Sequence, residues 1–225
     1  MDALIFDFDG VIFDSEPVHI AGFEQVLEPF GVEFTREEYC QKYLGYDDYE
    51  VLELMGKDFG LAFSPQQVEE IVARKTRYLQ ENLAQATKPI PGVAELISAA
   101  AAAGVPQAVC SGGLRAEIDT GLARLGVAEF FPVVLTAEDF THGKPHPEGY
   151  IRAAELLAQH TGLAINRPSC VAIEDSPTGL AAVRAAGMKA LAITSTFPLT
   201  ALSLAHRIEP DLRAVTIEML EELTD

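Results

Sequence analysis

Two aspartates, Asp7 and Asp9, follow directly on the apolar run Ala3-Leu4-Ile5-Phe6. Acidic side chains are scarce in strands, and positions i and i+2 of an extended chain face the same side. Carboxylates held that close repel unless a cation or a shared proton lies between them. Such a pair can do metal-assisted nucleophilic chemistry, one carboxylate attacking while its neighbour serves as acid and base. Gly10 then lets the chain turn away from the strand end. The plain alternative is an acidic strand end facing solvent, and three further clusters weigh against it.

Val109-Cys110-Ser111-Gly112-Gly113 is a strand that ends in a hydroxyl and two glycines before a helical segment. Backbone N–H groups of such a turn, with a helix N-terminus behind them, suit a phosphate, although a plain strand-to-helix turn reads the same way. Gly143-Lys144-Pro145-His146-Pro147-Glu148 places a lysine on a proline-stiffened loop. Most single lysines are solvated, but a rigid loop in a chain poor in basic residues points to a fixed anionic partner. Val171-Ala172-Ile173-Glu174-Asp175-Ser176-Pro177 again sets two carboxylates after an apolar strand, and Ser176 can cap the next helix. If all these strand ends share the carboxyl edge of a parallel sheet, Asp7, Asp9, Ser111, Lys144, Glu174 and Asp175 converge there. Oxygen ligands at that density suit Mg²⁺, which keeps several waters and bridges to phosphate.

The elements needed to position them are visible in the pattern. Short apolar runs at residues 3–6, 105–110, 131–135, 170–173 and 189–193 alternate with helical stretches, predicting a parallel sheet with helices on both faces. A helical stripe of Val93, Leu96, Ile97 and Ala100 closes at Gly104, and Leu180 to Ala186 closes at Gly187 in the same manner. Residues 16–87 differ: Ile20, Phe23, Leu27 and Phe30, then Val68, Ile71, Val72 and Leu79, follow helical spacing without a convincing strand. The expected organisation is therefore a Rossmann-like α/β core of residues 1–15 and 88–225 with an all-helical insertion at 16–87.

Composition narrows the function. The 225 residues, 48% hydrophobic and 22% charged, are those of an ordinary folded protein. A formal charge of −18 argues against nucleic acid or an anionic membrane as partner, since both need clustered Lys and Arg. Cys40, Cys110 and Cys170 form neither a disulfide framework nor a zinc pattern. With no signal-peptide pattern at Met1-Asp2 and no apolar run of roughly 18 residues, a cytoplasmic, soluble protein is expected. No apolar helix face is obviously left over, so a monomer is expected.

The four clusters, in this order, resemble the four motifs of the haloacid dehalogenase superfamily, and the details are similar to its β-phosphoglucomutase-like and phosphoglycolate-phosphatase-like members. The resemblance extends to Gly92-Val93-Ala94-Glu95-Leu96-Ile97 and to Gly179 through Met188. It implies that Asp7 is the nucleophile taking the phosphoryl group and that Asp9 is general acid, then general base. It implies phosphate binding by Ser111, Gly112, Gly113 and Lys144. Mg²⁺ ligands would be Asp7, Asp175 and the backbone carbonyl of Asp9, with Glu174 a further ligand or a water-holding neighbour. Dehalogenases and phosphonatases of the superfamily lack an acid at the Asp9 position and its transport ATPases carry Thr there, so Asp9 points to a phosphatase or phosphomutase.

The helical insertion resembles the superfamily's cap, with the hinge at Phe13-Asp14-Ser15-Glu16-Pro17-Val18-His19. Ser15, His19 and Lys75 are the substrate-binding candidates there. Lys75 falls on the apolar stripe of residues 68–79, where an inward charge needs an anionic partner or must snorkel outward. Gly45-Tyr46-Asp47-Asp48-Tyr49-Glu50 departs from the resemblance: Asp48 stands where the sugar mutases place an Arg for a second phosphate. Gly112 departs too, from a usual Ser or Asn. The expected activity is thus a phosphatase for a small sugar, polyol or acid monophosphate. β-Phosphoglucomutase is the alternative. A phospho-accepting receiver module is a remote one, being shorter, capless and different in residue order.

Overall fold

The computed structural model describes residues 1–44, 46 and 48–224, with the backbone alone at 83–86. In chain order the elements are β1 (Ala3–Phe6), β2 (Phe13–Asp14), α1 (Glu16–Leu27), α2 (Arg36–Lys42), α3 (Asp48–Phe59), α4 (Pro65–Ala86) and β3 (Lys88–Pro89). There follow α5 (Val93–Ala102), β4 (Gln107–Cys110), α6 (Arg115–Leu125), β5 (Val133–Leu135) and α7 (Glu148–Thr161). The chain then forms β6 (Cys170–Glu174), α8 (Pro177–Ala185), β7 (Lys189–Ile193), β8 (Arg207–Glu209) and α9 (Ile217–Glu221). It divides into two compact units, Met1–Asp14 with Lys88–Asp225, and Ser15–Thr87.

The first unit is a six-stranded sheet in the order β5-β4-β1-β6-β7-β8, every adjacent pair parallel. Because side chains alternate along a strand, its two faces carry different residues. Leu4, Phe6, Val109, Val171, Ile173, Leu191 and Ile193 enter one core with the apolar stripes of α5 and α6. Ala3, Ala108, Ala172, Ala190 and Ala192 enter the other, with Tyr150, Ala153 and Leu157 of α7 and Leu180 and Val183 of α8. Large side chains fill one side, and alanines on the other admit α7 and α8 closely.

All five expected sheet strands form, some shorter than the apolar runs. Pro106 and Pro132 precede the first residues of β4 and β5, where a residue without an N–H cannot begin a ladder from both sides. The sixth strand, β8, was not expected; Arg207-Ile208-Glu209 has one apolar residue and pairs only with β7 at the sheet edge. Nor was the two-residue antiparallel pairing of β2 with β3, which joins the segment before the helical unit to the segment after it.

The second unit holds helices and, among its described residues, no strand, with α1 to α4 enclosing Ile20, Phe23, Leu27, Val51, Leu52, Met55 and Ile71. The expected stripes are inside, although Phe30, Val68 and Val72 only partly. Thr35 and Glu38 exchange bonds as a capping box at the start of α2. No helix among the described residues is long and apolar enough to cross a membrane.

The alanine face gives a prediction. Ala172→Leu overpacks the contact of β6 with α7 and α8 and is expected to lower unfolding free energy by about 1–3 kcal/mol in urea. Ala99→Leu, on the exposed side of α5, should stay within about 0.5 kcal/mol of the parent.

Candidate active site

β1 lies at the centre of the sheet, with the chain running outward to β4 and β5 on one side and to β6, β7 and β8 on the other. That reversal opens a crevice beyond the carboxyl ends of the strands. Asp7 sits at its floor, its N–H donating to Ile173 O at 3.0 Å, and Ser111 is held likewise to Leu135 O at 2.9 Å. Both side chains therefore start from backbone still tied into the ladder.

Lys144 reaches the same floor from the loop between β5 and α7. Its Nζ lies 2.8 Å from Asp7 Oδ1 and 2.6 Å from Glu174 Oε1. Asp7 is 7% exposed and Glu174 fully buried, so these are desolvated charges. Burial pushes the Asp7 carboxyl up to about 7; Lys144 opposes this, while Glu174 and Asp9 add to it. Burial works against the Lys144 charge as well, but Asp7 and Glu174 outweigh it and hold the ammonium above its ordinary value. For Glu174 burial is overcome by Lys144 and by bonds from Tyr150 and Ser176, leaving it below the ordinary range.

Glu174 is the most heavily bonded of these groups. Its Oε1 accepts from Lys144 Nζ and, at 2.7 Å, from Tyr150 Oη. Its Oε2 accepts from Asp175 N at 3.1 Å, Ser176 N at 3.2 Å and Ser176 Oγ at 3.0 Å. Ser176 Oγ in turn accepts from Gly179 N, capping α8. A side chain at Gly179 would land on the Glu174 carboxylate, so only glycine leaves room. Asp175 is 4% exposed and is pushed well above its ordinary value by burial, then by Glu174 and Asp7, against a bond from Thr196. Gly10 has φ +72°, and a Cβ there would strike the Asp175 carboxylate and Thr196 Oγ1. Ser195 Oγ donates to Gly10 O at 2.5 Å, fixing that turn.

Asp7, Glu174 and Asp175 offer oxygens all within 4.8 Å of one another. Three buried carboxylates face one ammonium, a deficit of two charges, which a divalent cation matches. The all-oxygen set suits a hard ion such as Mg²⁺.

The glycine turn after β4 completes this edge. Ser111 is fully buried and its Oγ accepts from Gly113 N at 2.9 Å. A Cβ at Gly113 would stand 3.3 Å from Ser111 Oγ and 3.6 Å from Asp9 Oδ2, so turn backbone, hydroxyl and second aspartate adjoin. Gly112 has open space where a side chain would be.

The helical unit gathers its own charges. Lys75, 1% exposed, lies 2.5 Å from Asp48 Oδ1, donates to His19 Nδ1 at 3.3 Å and stands over the Phe23 ring at 4.2 Å. The anionic partner that an inward lysine needs is thus Asp48. Gly45 and Asp47 of the same motif lie outside the described residues. Ser15 is buried just ahead of α1.

Sequence reasoning missed Tyr150, Ser195 and Thr196. Tyr150 sits in an apolar stretch of α7 and carries no local sign of its bond. The Thr194-Ser195-Thr196 run does follow an apolar strand at the same edge, so the rule that found Ser111 could have found it.

Residues 4–193 match the haloacid dehalogenase-like hydrolase family, and the chain belongs to it. It is 28% identical over 227 residues to a β-phosphoglucomutase of Bacillus subtilis (strain 168), covering 99% of this chain and 95% of that relative. It is 29% identical over 188 residues to a fructose-1-phosphate phosphatase of Escherichia coli (strain K12), covering 84% of this chain and 94% of the relative. A HAD hydrolase of family IA, variant 3, from Entamoeba histolytica HM-1:IMSS shares the fold at TM-score 0.84 and 18% identity, covering 100% of this chain and 99% of that one.

The charge deficit is testable without metal. Folded Asp175 keeps a proton that the unfolded chain releases above the ordinary carboxylate range, so wild-type stability falls as pH rises beyond it. Asp175→Asn removes the part of that dependence due to Asp175, leaving the part due to the raised Asp7 carboxyl. In chelator, the variant is expected to melt a few degrees above wild type at pH 8, and the two curves should converge towards pH 4. Equal melting at pH 8 would count against the buried repulsion.

Proposed function

We propose that the protein is an Mg²⁺-dependent phosphatase that hydrolyses a small sugar, polyol or acid monophosphate through an aspartyl phosphate on Asp7. The observation that carries this reading is the Lys144 ammonium buried against the Asp7 carboxylate, beside a second acid and a glycine turn able to receive phosphate.

A carboxylate approaching a phosphate dianion meets charge repulsion. Lys144, the turn N–H of Gly112 and the Ser111 hydroxyl, itself braced by the Gly113 N–H, bind the non-bridging oxygens and offset it. Asp7 Oδ attacks phosphorus as the bond to the substrate oxygen breaks, and Asp9 gives that oxygen its proton. Asp9 then takes a proton from water, the water oxygen attacks phosphorus, and the acyl phosphate bond breaks to release phosphate and restore Asp7. Splitting the transfer makes two easier steps of a difficult one. Asp7, Asp175 and the carbonyl of Asp9 would hold Mg²⁺, which when bound supplies positive charge at the phosphate oxygens. Glu174, its oxygens already taken by five donors, suits the role of anchor and water-holder better than that of direct ligand.

A phosphomutase shares all of this chemistry and differs in the acceptor. Against it stands the Lys75–Asp48 pair, in which Asp48 cancels the lysine charge. Asp48 is also an anion where the mutases place an arginine. A second phosphate would lose a charge-assisted contact worth roughly 1.5–3 kcal/mol. Hydrolysis needs no such grip.

With Mg²⁺, inorganic phosphate is expected from a panel of sugar and polyol phosphates, and chelator should stop it. Asp7→Asn should lower turnover by more than about three orders of magnitude while the fold persists. Lys144→Ala should lower it roughly 10²–10³-fold. Appreciable turnover by Asp7→Asn would refute the covalent route. The acceptor is decided by incubating β-glucose 1-phosphate with a trace of glucose 1,6-bisphosphate and measuring both products. Phosphate release should exceed glucose 6-phosphate; the reverse would establish the mutase.

A further inference from the structure

The loop that carries Lys144 holds a second set of potential ligands that the proposed reaction does not use. In His142-Gly143-Lys144-Pro145-His146-Pro147-Glu148 the two histidines flank the lysine, and Glu148 begins α7. Glu148 folds the loop back on itself: Oε1 accepts from Thr141 N at 2.9 Å, and Oε2 accepts from His142 N at 3.1 Å. The same Oε2 lies 2.9 Å from His142 Nδ1. Glu148 N–H donates to His146 Nδ1 at a long 3.3 Å, which keeps that ring beside the first residue of α7. The two imidazole rings stand 4.6 Å apart between centroids at an angle of 37°.

His142, His146 and Glu148 thus present one donor atom each, all within 4.8 Å of one another. Around a tetrahedral ion with bonds of about 2.0–2.1 Å, ligand atoms stand about 3.4 Å apart. Both histidines are exposed, so their rings can rotate to close that gap without moving the backbone. The carboxylate is already fixed in place by two backbone N–H groups, which lowers the entropy lost on binding.

We propose that His142, His146 and Glu148 form a site for a borderline divalent cation of the Zn²⁺ class, separate from the buried carboxylates. The ion takes the place of the hydrogen between His142 Nδ1 and Glu148 Oε2, His142 then carrying its proton on Nε2. His146 adds its Nδ1 lone pair by giving up the long bond from the Glu148 N–H, and water completes the shell. Two nitrogens and one oxygen select Zn²⁺, Ni²⁺ or Cu²⁺ over Mg²⁺, whereas the carboxylate cluster selects the harder ion. Because Lys144 lies between the two histidines, the ion ties down the loop on both sides of that lysine.

The test is titration of the full chain with Zn²⁺ by calorimetry in saturating Mg²⁺, so that the carboxylate cluster is filled. Wild type is expected to bind one Zn²⁺ more than the double variant His142→Ala/His146→Ala. His146→Gln, which keeps the His142–Glu148 contact, should weaken that binding at least roughly tenfold. Imidazole ¹H–¹⁵N spectra provide a readout independent of activity: of the five histidines, His142 and His146 should shift on Zn²⁺ addition. Unchanged stoichiometry and affinity in the double variant, or unmoved His142 and His146 resonances, would overturn the site. Neither readout depends on phosphatase turnover.

Discussion

A buried ammonium shared by two buried carboxylates is the constraint around which the α/β unit is arranged. Lys144 between Asp7 and Glu174 satisfies only part of the negative charge collected there, because Asp175 shares the same space. Removing either partner of such a pair leaves an uncompensated charge in low dielectric, which is far more costly than the pair is stabilising. Three chain segments distant in sequence must therefore be placed within a few tenths of an ångström. The parallel sheet does this by ending β1 and β6 side by side and bringing the loop after β5 across them. Gly10 and Gly179 follow from the same crowding, as each lies where a Cβ would displace a site carboxylate. Tyr150 follows as well: its hydroxyl joins Lys144 on one oxygen of Glu174.

The helical unit solves the same physical problem differently. Lys75 is buried among the apolar residues of that unit, and Asp48 meets it directly, with His19 and the Phe23 ring alongside. Here one ammonium meets one carboxylate and the charges balance. In the α/β unit they do not balance, and burial first, then the neighbouring carboxylates, drive Asp7 and Asp175 towards their neutral forms. A balanced pair holds a fold together without asking for anything further. An unbalanced cluster keeps a surplus of negative charge, which is what the proposed Mg²⁺ would offset.

The asymmetry of the sheet has a related role. Large aliphatic and aromatic residues on one face and alanines on the other keep α7 and α8 close to the strands. Of these, α7 carries Tyr150 near its start, and α8 begins directly after Glu174, Asp175 and Ser176. Close packing of their bodies is what gives their first turns a fixed position relative to the strand ends.

Much of this was legible in the sequence because it depends on local signals. Apolar runs marked five of the six sheet strands, glycines marked the ends of α5 and α8, and helical spacing marked the insertion. The carboxylates stood out at Asp7, Asp9, Glu174 and Asp175 because acids after apolar strands are anomalous wherever they occur. β8 escaped because an edge strand with one apolar residue has no period to detect, and its identity comes from pairing with β7. The partners could not be read at all. That Lys75 meets Asp48, 27 residues away, or that Tyr150 meets Glu174, is decided by which helices and strands pack together. The sequence by itself determined which residue types are present and which strand ends they follow. Tertiary structure alone decided the distances between them, and with those the burial, the charge deficit and the shifted proton affinities on which any reaction here depends.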